Sequence, residues 1–358
     1  MIWFIADAHL VQSMYVHRPL IRGDALRALD SIVTEILSKT QEGEVIFCGD
    51  NFNMFRPSPG DVRDMSDNIT RLTQAGISVY SIQGNHDLCR YSWMNICGAQ
   101  DLGAMDVVEM SGRRVYGLDY TPGAKIIDEL NRINGEIECD ILVLHQAFKH
   151  LSPFDTYSLS VEDMPGSVLD AVVSGHVHIP DKRVNSSGVS IVSPGATHPR
   201  DISEPQGTYV QYGTDFMHIG TPVSRNIKKF VVEKSEDMEE VLEYMETLKY
   251  LENNSPDSWP LVRVRYSSEL INIIGKLKKY TGRCHLFTEA VNKDVLKIED
   301  IDITINSSTE DILKQCVDEG SLEYRTVLQL TERNKPEKVL EEIDQAFKKE
   351  LDSIRKGL

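Results

Sequence analysis

Positive charge is the first thing in short supply. Across 358 residues, 38 lysines and arginines face 55 aspartates and glutamates, for a formal net charge of −17. That balance excludes a protein whose nucleic-acid binding rests on a general Lys/Arg excess. A bound cation inverts the field locally, so a metal site escapes the exclusion. Cysteine pairing is missing as well. Cys48, Cys89, Cys97, Cys139, Cys284 and Cys316 are scattered, and none forms a C-x-x-C pair, which argues against a structural zinc site. Reduced thiols in a cytoplasmic protein are the expected state. There is no run of about 18 apolar residues, so no membrane-spanning helix is expected. Nor is a signal peptide expected, because an apolar strand starts at Ile2 and reaches Asp7 at once. Internal repeats and low-complexity tracts are absent.

What is present is ordinary globular material, 41% hydrophobic, long enough for about two domains. Up to about residue 225, short apolar β-rich runs alternate with helical patterns. Expected strands are Ile2–Ala6, Val45–Cys48, Val79–Ile82, Val115–Leu118, Ile141–Leu144, Ala171–Ser174, Ser190–Val192 and Thr208–Tyr212. Leu26, Leu29, Val33, Ile36 and Leu37 recur at helical spacing behind Asp24, the expected N-cap. A second helix is expected over Val62–Ala75, stopped by Gly76. This alternation predicts an α/β layered fold with active groups on loops at the carboxyl ends of strands.

Composition shifts near Asn226. Strands are expected at "IKKFVVE", "WPLVRVRY", "HLFTEAV" and "VLKIED", with helices over Asp237–Leu251 and Leu270–Tyr280. The predicted domains are 1–225, a small α/β cap at 226–305, and a helical tail at 306–358. In the tail, helices are expected near Glu310–Asp318 and over Pro336–Arg355, with Pro336 in the first turn. Leu340, Ile343, Phe347, Leu351 and Ile354 make an apolar stripe on the last one. It packs either on the chain's own core or on a partner's helices.

Five short motifs carry the chemistry. Asp7 and His9 lie in "DAH", Asp50 in "CGDNF", Asn85 in "GNHD", His145 in "VLHQ", and His176 and His178 in "GHVH". Each follows an expected apolar strand, so all would gather at one rim of a sheet. Carboxylate, amide oxygen and imidazole suit hard or borderline divalent ions. In extended backbone, residues i and i+2 share a side, so Asp7 and His9 would face one ion. A carboxylate such as Asp50 can bridge two ions. Two ions about 3.5–4 Å apart are a known device for phosphate-ester hydrolysis. Any one of these motifs arises often by chance; five in order do not.

The series resembles the calcineurin-like metallophosphoesterase superfamily over residues 1 to about 215. "LHQ", the "SPGATHPRDISEP" segment, the cap and the helical tail are similar to the SbcD-type nucleases of DNA double-strand-break processing, phage recombination nuclease subunits included. The resemblance implies a central β-sandwich flanked by helices, with a small cap and a C-terminal helical tail. It implies one metal held by Asp7, His9, Asp50 and His178, and another by Asp50, Asn85, His145 and His176. The metals would polarise the phosphoryl group and acidify a water. His86 would touch the scissile phosphate or protonate the leaving oxygen rather than ligate. Two manganese ions are implied; magnesium, iron and zinc also suit the ligand types.

One departure stands out. Relatives have His or Asp three positions after the "GD" aspartate, whereas this chain has Asn53. Its side chain is expected to hydrogen-bond and orient His86, without supplying negative charge to a protonated ring. Arg56, Arg90, Lys182, Arg183 and Arg200 lie on motif-adjacent loops as weak candidates for DNA phosphate contacts. His198 is expected near the site. The resemblance further implies DNA as substrate, a homodimer built partly on Arg22–Lys39, an SbcC-type SMC-like ATPase on the tail, no membrane, and the cytoplasm (the host's, if phage-encoded). The alternative is a stand-alone enzyme for small phosphodiesters or phosphoproteins. The protein-phosphatase signatures "GDxxDRG" and "GNHE" are absent, which disfavours that branch. A non-catalytic scaffold would tend to lose ligands, and all seven are here.

Overall fold

Strand β1 (Ile2–Ile5) shows how the layers arise, since all four of its residues are buried. Successive strand side chains point to opposite faces. Ile2 and Phe4 join a core with Ile46, Ile82, Val143 and Val173, while Trp3 and Ile5 join another with Leu29, Val45, Phe47 and Leu72. A strand covered on both faces needs an unbroken apolar run, and "IWFI" is one.

In this computed structural model, the residues described are 1–11, 23–152, 158–164, 169–201, 204–250 and 259–291. Strand β1 pairs in parallel with β2 (Gly43–Cys48), β2 with β3 (Ile77–Ile82), and β3 with the short β4 (Gln100–Asp101). On the other side, β11 (Thr208–Tyr212) and β12 (Phe216–Gly220) add antiparallel, completing a six-stranded sheet. The second six-stranded sheet has the parallel centre β6 (Arg113–Gly117), β7 (Ile141–His145), β8 (Ala171–Gly175) and β10 (Ser190–Ser193). Its antiparallel edges are β5 (Val108–Met110) and β9 (Asp181–Val184). The two sheets share the core of Ile2 and Phe4. Helices α1 (Asp24–Lys39) and α2 (Pro59–Gln74) cover the first sheet, and α4 (Lys125–Glu136) covers the second. A short α3 (Trp93–Ile96) follows β3. This is the α/β layering that the strand–helix alternation predicts, in the form of the helix-flanked β-sandwich that the resemblance implies.

Two helix starts differ from expectation. Gly23, with φ 77°, is the N-cap of α1 and no side chain caps it. Asp24 is instead the first helical residue, drawn to Arg225, whose Nε and Nη2 each donate to it at 2.7 Å. A buried guanidinium outcompetes a backbone amide for that carboxylate. Helix α2 starts earlier than predicted because Ser58 caps it. Ser58 Oγ accepts from Asp61 N at 3.1 Å, and Asp61 Oδ2 accepts from Ser58 N at 2.9 Å, with Pro59 in the first turn. Ser58→Ala is expected to cost about 1 kcal/mol in urea unfolding. An unchanged midpoint would remove that role.

The chain divides into two compact units. The larger comprises Met1–Phe230, Met238–Val264 and Gly275–Thr288, and holds both sheets. The smaller includes Val231–Asp237 and Arg265–Ile274. Within the smaller, Glu233 N and Lys234 N both donate to Asp237 Oδ2 at 2.8 Å. Strands β13 (Ile227–Val232), β14 (Leu261–Ser267) and β15 (His285–Val291) make a three-stranded sheet in that order. Helix α5 (Met238–Thr247) falls where a helix is predicted. The expected helix Leu270–Tyr280 is only α6 (Ile271–Ile274) between 3-10 turns, because Gly275 follows it at once. The "VLKIED" strand and both tail helices lie outside the described residues. Among those described, no helix is long and apolar enough to cross a membrane.

Candidate metal centre

The five motifs converge at the carboxyl ends of parallel strands in both sheets. Asp7 and His9 follow β1, Asp50 follows β2, and Asn85 and His86 follow β3. His145 ends β7, and His176 and His178 follow from the end of β8. The first sheet therefore supplies five of these residues and the second three. Backbone geometry there is unusual. Among the described non-glycine residues, positive φ occurs at Asp7 (50°), His9 (39°), Asp50 (48°), Ser111 (46°) and His176 (86°). Four of these five belong to the motifs. Such conformations cost of order 1–3 kcal/mol each and persist only where neighbours over-determine them.

This corrects the extended-backbone argument for Asp7 and His9. Regular strand pairing ends at Ile5, and the two side chains converge through left-handed turns. The turns are held by the neighbouring loop: Asp7 N donates to Gly49 O (3.2 Å), His9 N to Asp50 O (2.9 Å) and Leu10 N to Asn51 O (2.9 Å). Gly49 adopts φ 87°, and a Cβ there would run into His145 Nδ1. A Cβ at Gly84 would strike the Asp50 carboxylate. Both glycines are needed for close approach of backbone to site.

Asp50 is the hub. Its Oδ1 lies 3.4 Å from His145 Nε2, and its Oδ2 lies 3.5 Å from His9 Nε2. The Asp50 Oδ1 atom also accepts from His86 N at 2.8 Å. His9 Nε2 and His178 Nε2 are 3.1 Å apart, and His178 Nε2 is 3.8 Å from Asp7 Oδ1. His176 Nδ1 meets Asn85 Oδ1 at 2.8 Å, and the His145 and His176 rings stand edge to face at 5.2 Å. Two groups with metal-holding geometry are Asp7, His9 and His178, and Asp50, His145 and His176. A third comprises His9, Asp50 and His86.

Burial sorts the histidines. The side chains of His9 and His145 are 0% exposed, whereas His86 is 36% exposed. His145 Nε2 is buried with no hydrogen bond. Its Nδ1 lies 2.8 Å from Cys48 O, so Nδ1 carries a proton and Nε2 is the atom turned to Asp50. Electrostatics follow. Burial pushes Asp50 up, but His145 and His9 pull harder and hold it below the usual carboxylate range. Burial lowers His145, yet the Asp50 charge raises it to about 9. Burial dominates at His9 and drives it well down. Clustered imidazoles and carboxylates this deeply buried are costly alone and suit shared divalent cations. The donor set therefore fits metal.

Three supporting residues escape a reading of the sequence. Asp87 is buried and accepts from Gly84 N (2.7 Å), Asn51 N (2.8 Å) and Phe52 N (3.3 Å), locking the "GNHD" loop onto the "GDN" loop. Glu204 Oε1 lies 2.7 Å from His178 Nδ1, and its Oε2 accepts from Arg200 N at 2.6 Å. A carboxylate behind a metal-binding histidine fixes its ring and raises its basicity. Glu204→Gln is accordingly expected to weaken metal affinity about 10–100-fold, by titration calorimetry with manganese. Unaltered affinity would discount the pairing. The third, Tyr120, stacks on His176 with centroids 6.0 Å apart.

The expected Asn53–His86 contact needs correction. His86 Nδ1 meets the Asn53 backbone carbonyl at 2.9 Å, not the side chain. The Asn53 amide oxygen instead accepts from Arg200 Nη2 at 2.8 Å. The guanidinium takes it because Arg200 enters the centre, with Nη1 3.0 Å from His9 Nε2. Arg200 is thus the one weak candidate brought into the centre itself. Lys182 is on β9, bound to Asp215 at 2.6 Å, and Arg183 pairs with Asp181 at 3.0 Å. Arg56 and Arg90 are exposed on the loops after Asp50 and Asn85. His198 is buried, and burial lowers it to about 4.

The model of the calcineurin-like phosphoesterase family matches residues 1–180. The chain is similar to the DNA double-strand break repair protein Mre11 of Archaeoglobus fulgidus, 24% identical over 228 residues (56% of this chain, 50% of that one). It is similar to its namesake from Haloferax volcanii, 29% identical over 222 residues (60% and 49%). The chain thus spans about half the length of the curated relatives it matches. A dimetal phosphatase structure from Danio rerio aligns with TM-score 0.40 at 13% identity, over 61% of this chain and 95% of that one.

Proposed function

This chain belongs to the calcineurin-like phosphoesterase family, and from that premise we propose that it is a two-metal DNA nuclease subunit. The observation that carries the reading is the Asp50 carboxylate, with one oxygen 3.4 Å from His145 Nε2 and the other 3.5 Å from His9 Nε2. A ligand facing two ways is what a shared bridge requires. In this reading Asp7, His9, Asp50 and His178 would hold one cation, and Asp50, Asn85, His145 and His176 would hold the other. When bound, such cations supply Lewis acidity to a phosphoryl oxygen and acidify water.

The remaining work falls to the chain. His86 is open to solvent beside Asp50, where it can touch the scissile phosphate or give a proton to the leaving oxygen. The Asn53 carbonyl orients its ring from behind. Arg200, tied by Asn53, is placed to neutralise a phosphate oxygen. Manganese is the proposed ion; the donors also suit magnesium, iron or zinc. The Mre11 relatives support DNA as substrate and double-strand-break repair or recombination as the setting. We further assign 1–225 to the nuclease domain, 226–305 to the cap and 306–358 to a tail that binds an SbcC-type ATPase, in a homodimer.

Manganese-dependent cleavage of duplex, hairpin and single-stranded DNA, run beside bis-p-nitrophenyl phosphate, tests the reading. Cleavage of DNA is expected. Hydrolysis of the small ester with no cleavage of any DNA, even with the ATPase present, would return the chain to the small-phosphodiester alternative.

A further inference from the structure

Beside the centre lies an apolar patch that hydrolysis leaves unused. Phe55 is 58% exposed and Tyr91 is 70% exposed. Both lie on loops that leave the centre, Phe55 just after Asn53 and Tyr91 shortly after His86. Each ring has its neighbour's guanidinium against it: Arg56 Cζ is 5.3 Å from the Phe55 centroid, and Arg90 Cζ is 5.3 Å from that of Tyr91. The loops are tied together, because Trp93 Nε1 donates to Phe55 O at 2.8 Å. Met54 and Leu88 add exposed apolar surface on the same two loops. A cavity of about 420 Å³ opens beside Tyr91, walled by Ser92, Asn95, Ile96 and Asp101.

Two features choose the occupant. First, each ring is paired with a guanidinium, so one loop offers a face for a planar base and a cation for its phosphate. That combination marks single-strand binders, where stacking tolerates any base. Second, both loops start at the metal-centre motifs, so a strand whose phosphate reaches His86 has these rings on loops leading from it. Within a duplex only the terminal pair presents an open face, so two separate rings can each take a base only from an unpaired strand. We propose that Phe55 and Tyr91, each backed by its adjacent arginine, form a stacking platform for the unpaired bases of a DNA strand at the hydrolytic centre. The inference rests on the phosphoesterase reading and adds to it the form of the substrate, a strand with unpaired bases.

The test is binding, not turnover. The full chain, in calcium, is titrated with a labelled duplex bearing a single-stranded overhang and with a blunt duplex of the same sequence. The overhang carries 2-aminopurine, whose fluorescence is quenched by stacking. Tyr91→Leu and Phe55→Leu are expected to weaken overhang binding about 10-fold each and to relieve the quench. Blunt-duplex affinity should stay put, and Tyr91→Phe should behave as wild type. All these side chains are exposed, so folding is not at stake. Wild-type affinity in the Leu variants overturns the platform and leaves the patch as a protein-docking face. So does an equal loss on blunt duplex, which would mean a general surface effect. These results hold whether or not wild type hydrolyses bis-p-nitrophenyl phosphate with manganese. Failure there would count against the phosphoesterase reading instead.

Discussion

Asp50→Asn is expected to lower phosphodiester hydrolysis about 1,000-fold, or some 4 kcal/mol of transition-state stabilisation. The change is nearly isosteric. Asn Oδ1 can still accept from His86 N, as Asp50 does now at 2.8 Å. What disappears is the charge and the second oxygen, leaving an amide nitrogen that cannot ligate. Metal content by mass spectrometry after dialysis should fall from two equivalents toward one. Full metal content with an unchanged rate would mean that Asp50 bridges nothing.

His86→Ala is expected to lower hydrolysis about 100- to 10,000-fold, the range of a positioned acid–base group. Here metal content should survive. The argument is exposure: His9 and His145 are sealed in, while His86 is 36% open with Nε2 4.0 Å from Asp50 Oδ2. Geometry alone leaves a rival, because His9, Asp50 and His86 also make a group able to hold an ion. The variant separates the two. Loss of a metal equivalent on removing the ring would turn His86 from proton donor into ligand.

How much of this was written in the chain varies by element. The eight strands expected before residue 225 each have a counterpart, most plainly β1, β7 and β8, whose burial on both faces demands an apolar run. Strands β4, β5, β9 and β12 were not foreseen. They are short or half-exposed edges, such as "DKRV", whose pairing is decided by neighbours rather than by their own pattern. Motif residues were legible because each is a metal-ligand type in a short motif at a strand end. Glu204 was not, because its partner His178 is 26 residues away and no local pattern links them. Asn53 shows the other failure: its identity was noticed, but a guanidinium distant in the chain decides where its amide turns. The bounds of the cap and tail were read from composition alone.

The eight motif residues are divided between two sheets that meet across a hydrocarbon seam. The gap between the two sets of donors rests on the packing of Ile46, Ile82, Val143 and Val173 beneath them, with cross-sheet hydrogen bonds such as His145 Nδ1 to Cys48 O at the rim. Interiors packed that densely transmit a lost methyl as displacement. The spacing of these donors is therefore tuned by side chains that never touch water, and trimming one of them is a way to detune the site without altering a single polar group.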